Sequence, residues 1–422
     1  MIQSRSGRYF ISQMWCQVLG GLLAAVGLPI LFRAFYAWDT LETANYQVTI
    51  IAAAIAHLGG YAIYKRLDAF PGTTGFSTIL PAFLLSYGIV FVGILLFRFE
   101  YSRLQAVGSF SISSVWYFGV HIFNGRRKRF HLAIIPGGQT DELTKIKSVL
   151  WMPIETPDKN LSNVHGVVAD LRTDFSPNWE RFITDAVLAG IPVYHVKQVV
   201  ESLTGRVAIE HLSENTLGSL TPSQLYLPIK RIIDRLIALF VLILGLPLLL
   251  LVGLAIRLDT PGPALFRQTR MGYRGVVFTV YKFRTMRVEN DQTGSARDKA
   301  ITRDADPRIT RLGRFLRKSR IDELPQVINV LRGEMSWIGP RPEADVLSRW
   351  YETELPFYSY RHIVQPGITG WAQVKQGHVA SVDEVNEKLY YDFYYIKNFS
   401  LWLDIVIVLR TIRIMLTGFG AR

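Results

Sequence analysis

The sequence predicts a membrane α-helical bundle, a small Rossmann-like α/β domain and a basic, mainly α-helical C-terminal half. Three observations lead there. Four apolar stretches fill the first third of the chain, each about long enough for a ~30 Å hydrocarbon core. Short apolar runs then alternate with helical patterning between residues 126 and 200. Beyond Pro261 the chain becomes dense in basic and turn-forming residues.

Composition agrees with this division. The 422 residues are 49% hydrophobic and carry a net charge of +13. That pairing suits a membrane protein facing anionic lipid, or one that handles phosphates. It argues against nucleic acid as a partner, since basic nucleic-acid-binding chains rarely carry long uncharged runs. The one cysteine, Cys16, lies in an apolar run. An intramolecular disulfide or a cysteine metal site is therefore excluded, and Cys16 reads as a small buried hydrophobe.

The apolar stretches run roughly 13–36, 46–64, 75–97 and 104–123. The first lacks a clean cleavage site and is followed by three more, so it reads as an anchor and not a removed signal. With the N-terminus inside, the inner flanks hold Arg5, Arg8, Lys65, Arg66, Arg126, Arg127, Lys128 and Arg129, and the outer flanks only Arg33, Arg98 and Arg103. This bias predicts a cytoplasmic N-terminus and a cytoplasmic remainder. The span centres hold no Asp, Glu, Lys or Arg; His57 is the one ionisable group there. The bundle therefore reads as an anchor, and His57 as a packed or helix-bonded residue and not a proton relay.

In the second part, His131–Pro136, Gly166–Leu171 and Ile191–Val196 have strand character, and Asp141–Leu150 and Trp179–Leu188 helical patterning. The alternation predicts a parallel α/β unit. Pro136-Gly137-Gly138 follows the first strand without the G-x-G-x-x-G spacing of a dinucleotide loop. The unit reads as a regulatory or packing module without bound nucleotide. The domain boundaries are 1–125, 126–200, a polar linker at 201–225, and 226–422.

Leu236–Ile256 is twenty-one residues without a charge, long enough to span. Pro247 at its centre opposes a straight helix, and basic residues flank both ends, Lys230, Arg231 and Arg235 before and Arg257 after. A re-entrant hairpin and a kinked fifth span both fit. Lys230 and Arg231 are candidates for the membrane interface.

The chemistry-bearing residues follow. Lys282-Phe283-Arg284-Thr285-Met286 comes first, then Arg308, Arg311, Arg314, Arg317, Lys318 and Arg320, then Pro340-Arg341-Pro342. Arg314 and Arg317 would share a helix face. Guanidinium groups suit a bidentate grip on phosphate, although a basic face lying on anionic lipid is the plainer reading. Within this field stands Arg320-Ile321-Asp322-Glu323-Leu324-Pro325-Gln326. Ser319 and Asp322 fit a helix capping box with Pro325 in the first turn. The same pair of carboxylates could supply a nucleophile for phosphorus and a ligand for a hard cation. The residues alone leave both readings open. The aromatic tail, Leu389–Leu416 with Arg410 and Arg413, suits the headgroup level.

From about Lys230 onward the chain resembles the bacterial sugar transferases, the polyprenyl-phosphate hexose-1-phosphate transferases. The matching pieces stand in order. They are Lys230-Arg231 with Asp234, the apolar run with Pro247, Lys282–Met286, Asp306-Pro307-Arg308 and Asp322–Gln326. Ile338-Gly339-Pro340-Arg341-Pro342, Pro366-Gly367-Ile368-Thr369-Gly370-Trp371 and Tyr394-Tyr395 complete the series. Four spans and a Rossmann-like unit ahead of them look like the family's long form.

The resemblance implies a monotopic, mainly α catalytic domain over 226–422 with a re-entrant membrane helix at 232–257. It implies transfer of hexose-1-phosphate from a UDP-sugar to undecaprenyl phosphate, with UMP released through an aspartyl-phosphosugar intermediate. Asp322 would be the nucleophile and Glu323 the Mg2+ ligand, with Lys282, Arg284, Arg308, Arg317 and Arg341 binding phosphate or substrate. The expected place is the bacterial inner membrane, multi-pass, with the catalytic domain cytoplasmic, in the initiating step of exopolysaccharide, capsule or O-antigen synthesis. Membrane lipids are further partners, and a homo-oligomer is compatible with the sequence. Lys375-Gln376-Gly377-His378 stands where many members carry an Asn-Gly-Arg-like segment, so the sugar, glucose or galactose in the family, stays open. A transporter or scaffold is disfavoured by the uncharged spans. A direct glycosyltransferase would release UDP and not UMP.

Overall fold

The computed structural model describes residues 14–36, 44–68, 75–125, 131–147, 149–157, 161, 164–209, 221–287, 306, 308–377 and 381–417. Two compact units divide at Gly205/Arg206.

The first unit opens with α1 (Met14–Leu22), a π-helical turn (Leu23–Gly27) and α2 (Leu28–Tyr36), followed by α3 (Ala44–Asp68), α4 (Gly75–Leu96) and α5 (Arg103–Gly125). Each stretch long and apolar enough to cross a membrane coincides with one expected from sequence. Polar side chains bond between the helices, as expected where lipid offers no partner. His57 Nδ1 meets Ser113 Oγ at 2.9 Å, Tyr87 OH meets Ser109 Oγ at 2.7 Å, and Tyr46 OH donates to Gln105 at 2.9 Å. His57 is thus a helix-bonded core residue, beside the Phe83 and Tyr117 rings. Cys16 is a free thiol, half-buried and not buried as expected. Arg5, Arg8 and Arg126–Arg129, on which the orientation argument leaned, lie outside the described residues.

A four-stranded parallel sheet follows: β1 (His131–Ile134), β2 (Leu150–Pro153), β3 (Gly166–Ala169) and β4 (Val193–His195), in the order β2-β1-β3-β4. Between and after the strands come α6 (Asp141–Thr144), α7 (Pro177–Leu188) and α8 (Val196–Thr204). The helix expected over Asp141–Leu150 is one turn long. Its last residue begins β2, an edge strand that lacks the alternation by which strands are recognised. At the end of β1 the Gln139 amide donates to Asp170. A Cβ on Gly138 would stand 2.3 Å from that carboxylate, so the loop closes on protein. The expected linker begins later than residue 201, because α8 continues to Thr204 and ends on left-handed Gly205.

The second unit begins with α9 (Tyr226–Asp259), 34 residues and roughly 50 Å long. The break expected at Pro247 is absent: the helix continues through it. Proline removes one hydrogen bond, and the bonds on either side hold the helix. One stripe of α9 faces protein. Ala238 packs with Phe278, Val280, Val327 and Val330, and Val252 and Ile256 pack with Phe283 and Leu316. Leu239, Phe240, Leu244, Leu250 and Leu251 stay exposed. Lys230 is not an interface cation. It is buried, with Nζ 2.7 Å from Asp404 and 3.8 Å from Asp234, because an ammonium removed from water needs carboxylates. Arg231 stands over the Tyr273 ring.

β5 (Leu265–Met271) and β6 (Val277–Phe283) form an antiparallel hairpin. Then come α10 (Arg311–Lys318), a 3-10 helix (Ile321–Gln326) and α11 (Val327–Arg332). β7 (Ser336–Ile338) pairs in parallel with β8 (Gly367–Thr369). α12 (Asp345–Glu354) and a second 3-10 helix (Tyr358–Ile363) lie between them. α13 (Trp371–Lys375), α14 (Val382–Lys397) and α15 (Leu401–Thr417) close the unit. Most of the tail aromatics are core and not headgroup anchors, while Tyr390 and Trp402 are half-buried. Tyr391, Phe393, Tyr394 and Tyr395 are buried, and Tyr395 OH donates to Asp404 at 2.9 Å.

Candidate active site

Four local structures converge. β6 delivers Lys282 near its end. α10 is capped by Thr310, whose Oγ1 accepts from Gly313 N at 2.8 Å. Only glycine fits at 313, since a Cβ would stand 2.1 Å from Thr285 O. That close approach lets Arg317 Nε donate to Thr285 Oγ1 at 2.9 Å. Arg314, on the same helix, is exposed. The turn Pro340-Arg341-Pro342 follows β7.

The carboxylate pair sits on the first 3-10 helix. The capping box is absent: Ser319 ends α10 and bonds back to Phe315 O and Leu316 O. The chain then reverses through Arg320 at φ 59°, a left-handed state that costs about 1–3 kcal/mol for such a residue. This turn places Glu323 inside. Its side chain is 8% exposed, and Oε1 accepts from Arg341 Nη2 at 2.7 Å and Lys282 Nζ at 3.1 Å. Arg320 lies 3.6 Å from Oε2. Burial raises the Glu323 carboxyl, but Arg341, Lys282 and Arg320 outweigh it and hold the group well below the carboxylate range. Asp322 differs. It is half-buried and, among the described residues, makes no hydrogen bond or ion pair. Burial and then the Glu323 charge push its carboxyl up, against Lys282, Arg317 and Arg341. Lys282 is itself lowered to about 8 by burial and by Arg341. The result is one carboxylate locked by cations and a neighbour left available to a ligand.

The other sequence candidates lie differently. Arg284 is buried at the end of α9, donating to Thr260 O at 2.7 Å and Pro261 O at 2.9 Å. Its guanidinium satisfies carbonyls that a helix terminus leaves open. Arg308 pairs with Asp306 at 2.5 Å, and that bond holds the Asp306 carboxyl at about 2. Pro307 and His378 lie outside the described residues. Sequence reading missed Arg270, which donates to Pro342 O and to Gln268. Burial and Arg341 lower it to about 10. Nothing local separates Arg270 from Arg267 on the same strand, which is exposed beside Tyr281.

Among the described residues no three His, Cys, Asp or Glu side chains gather as a metal cage. Mg2+ does not require one, since it keeps waters and takes one or two carboxylates with substrate phosphates. Asp322 and Glu323 Oε2 fit that limited donor set.

A carboxylate pair among arginine and lysine side chains, in one unit with a long apolar helix, suits a membrane-associated protein that handles phosphate groups. The chain belongs to the bacterial sugar transferase family, whose pattern matches residues 225–418. It is 43% identical over 404 residues to the UDP-N-acetylgalactosamine-undecaprenyl-phosphate N-acetylgalactosaminephosphotransferase of Aeromonas hydrophila, covering 95% of this chain and 94% of that one. It is 46% identical over 194 residues to the UDP-glucose:undecaprenyl-phosphate glucose-1-phosphate transferase of Caulobacter vibrioides, covering 46% of this chain and 71% of the other. The Escherichia coli K12 protein of the same name is 42% identical over 188 residues, 44% of this chain and 39% of that one.

Proposed function

We propose that the protein transfers a hexose-1-phosphate from a UDP-sugar to undecaprenyl phosphate, releasing UMP, with Asp322 as nucleophile. The carrying observation is the asymmetry of the pair: Glu323 is held by Arg341 and Lys282, while Asp322 stands among the same cations without a partner among the described residues. An Asp322 oxygen attacks the phosphorus that bears the sugar. The bond from that phosphorus to the bridging oxygen breaks, and UMP leaves with the electron pair. An oxygen of undecaprenyl phosphate then attacks the aspartyl phosphosugar. The aspartyl–phosphorus bond breaks, and Asp322 returns as a carboxylate. Arg317 and Arg341 hold the phosphate oxygens. Mg2+ would be held by Glu323 with Asp322 beside it, and when bound would offset the diphosphate charge.

The donor we favour is UDP-N-acetylgalactosamine and not the glucose or galactose donor expected from sequence. The Aeromonas relative matches along nearly the whole chain, whereas the glucose relatives match over less than half of it. We further propose that α9 dips into the inner membrane and keeps both ends at its cytoplasmic face, bending at Pro247 while it remains helical. Lys230 and Asp234 near one end bond Asp404 and Ser336, and Ile256 near the other packs with Phe283 and Leu316. A straight span would put those ends on opposite sides of a ~30 Å core.

The test is incubation of membranes bearing the protein with UDP-sugars labelled in the β-phosphate. Label should enter a lipid diphosphate sugar, with UMP released and a labelled protein intermediate that Asp322→Asn cannot form. Release of UDP, or protein labelling that survives Asp322→Asn, would sink the proposal.

A further inference from the structure

We infer that Arg361 is a positioning residue for this transfer: it fixes the main chain of Arg341 so that the Arg341 guanidinium meets Glu323 and the donor phosphate. The inference rests on the proposed role of Arg341 in holding phosphate.

Arg341 sits between two prolines. Pro340 and Pro342 have fixed φ, and a residue that precedes proline is confined to extended backbone. The freedom left to the turn is rotation of its peptide planes, and each of the three carbonyls is bonded. Pro340 O accepts from Gly367 N at 2.9 Å, Arg341 O from Arg361 Nη2 at 2.9 Å, and Pro342 O from Arg270 Nη1. The middle bond sits on the residue whose side chain reaches Glu323 at 2.7 Å.

Arg361 is placed to hold that bond steadily. It lies on the second 3-10 helix, and its side chain is 2% exposed. Nη1 donates to Tyr358 OH at 2.7 Å, and Asp392 lies 2.9 Å from Nη2 as an ion pair. Glu343, the residue after Pro342, lies 4.0 Å from Nη1 and is also bonded by Lys388. Two acids balance two bases in this buried cluster, so the guanidinium can stay charged away from water. None of these groups needs to touch substrate. A geometric error at Arg341 would still pass to the phosphate, where small misplacements cost rate steeply.

Arg361→Gln, Arg361→Lys, Tyr358→Phe and Arg341→Gln are compared with wild type in detergent. The readouts are UMP release from UDP-N-acetylgalactosamine or UDP-glucose, and melting temperature. Arg361→Gln should raise the donor KM about tenfold or more, the factor set by one charge-assisted hydrogen bond. Arg361→Lys should recover part of that rise, and it carries the test if the Gln variant does not fold. Tyr358→Phe loses a bond to the same guanidinium but not the bond to Arg341 O. It should therefore melt lower with an unchanged donor KM. The inference is overturned if both Arg361 variants keep the wild-type KM, or if Tyr358→Phe raises KM as much as Arg361→Gln. An unchanged KM in Arg341→Gln would instead remove the phosphate role of Arg341, and the reason for Arg361 with it. Absence of wild-type turnover on either donor would overturn both the proposed function and this inference.

Discussion

Neutralising the two carboxylates separately should move stability in different directions. Glu323 is buried and accepts from Arg341 at 2.7 Å and Lys282 at 3.1 Å. Glu323→Gln keeps the shape but removes the charge that compensates both cations. Breaking a buried pair in this way costs about 3–5 kcal/mol, and for a unit of this size that lowers the melting temperature on the order of 10 °C. Asp322 makes no such bond among the described residues, and its carboxyl is pushed up by burial and by Glu323. Asp322→Asn removes a repelled charge, so the melting temperature should hold or rise. Both variants lose transfer, Asp322→Asn entirely, because an amide is a poor nucleophile towards phosphorus. The assay is thermal unfolding of purified protein in detergent at neutral pH, with chelator and without nucleotide. A drop in Asp322→Asn as large as that in Glu323→Gln would refute the asymmetry, as would an unshifted Glu323→Gln.

Three further outcomes follow from the same geometry. Deleting residues 1–205 should leave UMP release intact in membranes, since Arg206 and Val207 are still tied to Glu387 and Tyr390; a folded truncate without activity would place part of the chemistry in the first unit. With Cys16 replaced by Ser, cysteines at Ser223 and Asp259, both exposed flanks of α9, should react only with a reagent that enters the cytoplasm; opposite accessibility would establish a fifth span. His362 is lowered to about 3 by burial and by Arg361, so below its unfolded pKa of about 6.5 the unfolded chain binds a proton that the folded chain does not. Stability should therefore fall as pH drops from about 6.5 towards 3, and His362→Gln should flatten that part of the melting-temperature profile; an unchanged slope would contradict the burial.

Much of the architecture was legible in order. Spans α3, α4 and α5 follow from uncharged runs of fixed length, because a bilayer imposes one length on any helix that crosses it. The parallel sheet followed from strands alternating with helices. Edge strand β2 did not, because Leu150–Pro153 lacks the alternating burial that marks a strand. The capping box failed because Arg320 takes a left-handed conformation and restarts the chain as a 3-10 helix, which residue type alone does not reveal.

The sequence by itself determined which residues could do the chemistry: two adjacent carboxylates, an arginine-rich field and a stiff Pro-Arg-Pro turn, all fixed by covalent order. Tertiary structure decided how the charges are shared. Lys230 and Arg284 look in sequence like the other basic residues, yet one is held by Asp404 and the other closes the end of α9. Glu323 and Asp322 are neighbours of nearly equal intrinsic acidity, yet one meets three cations and the other makes no ion pair among the described residues. Arg270 and Arg361 reach the site from distant segments, β5 and the second 3-10 helix. Electrostatic pairing depends on distance and burial in space, and both are set only when segments far apart in the chain close on one another.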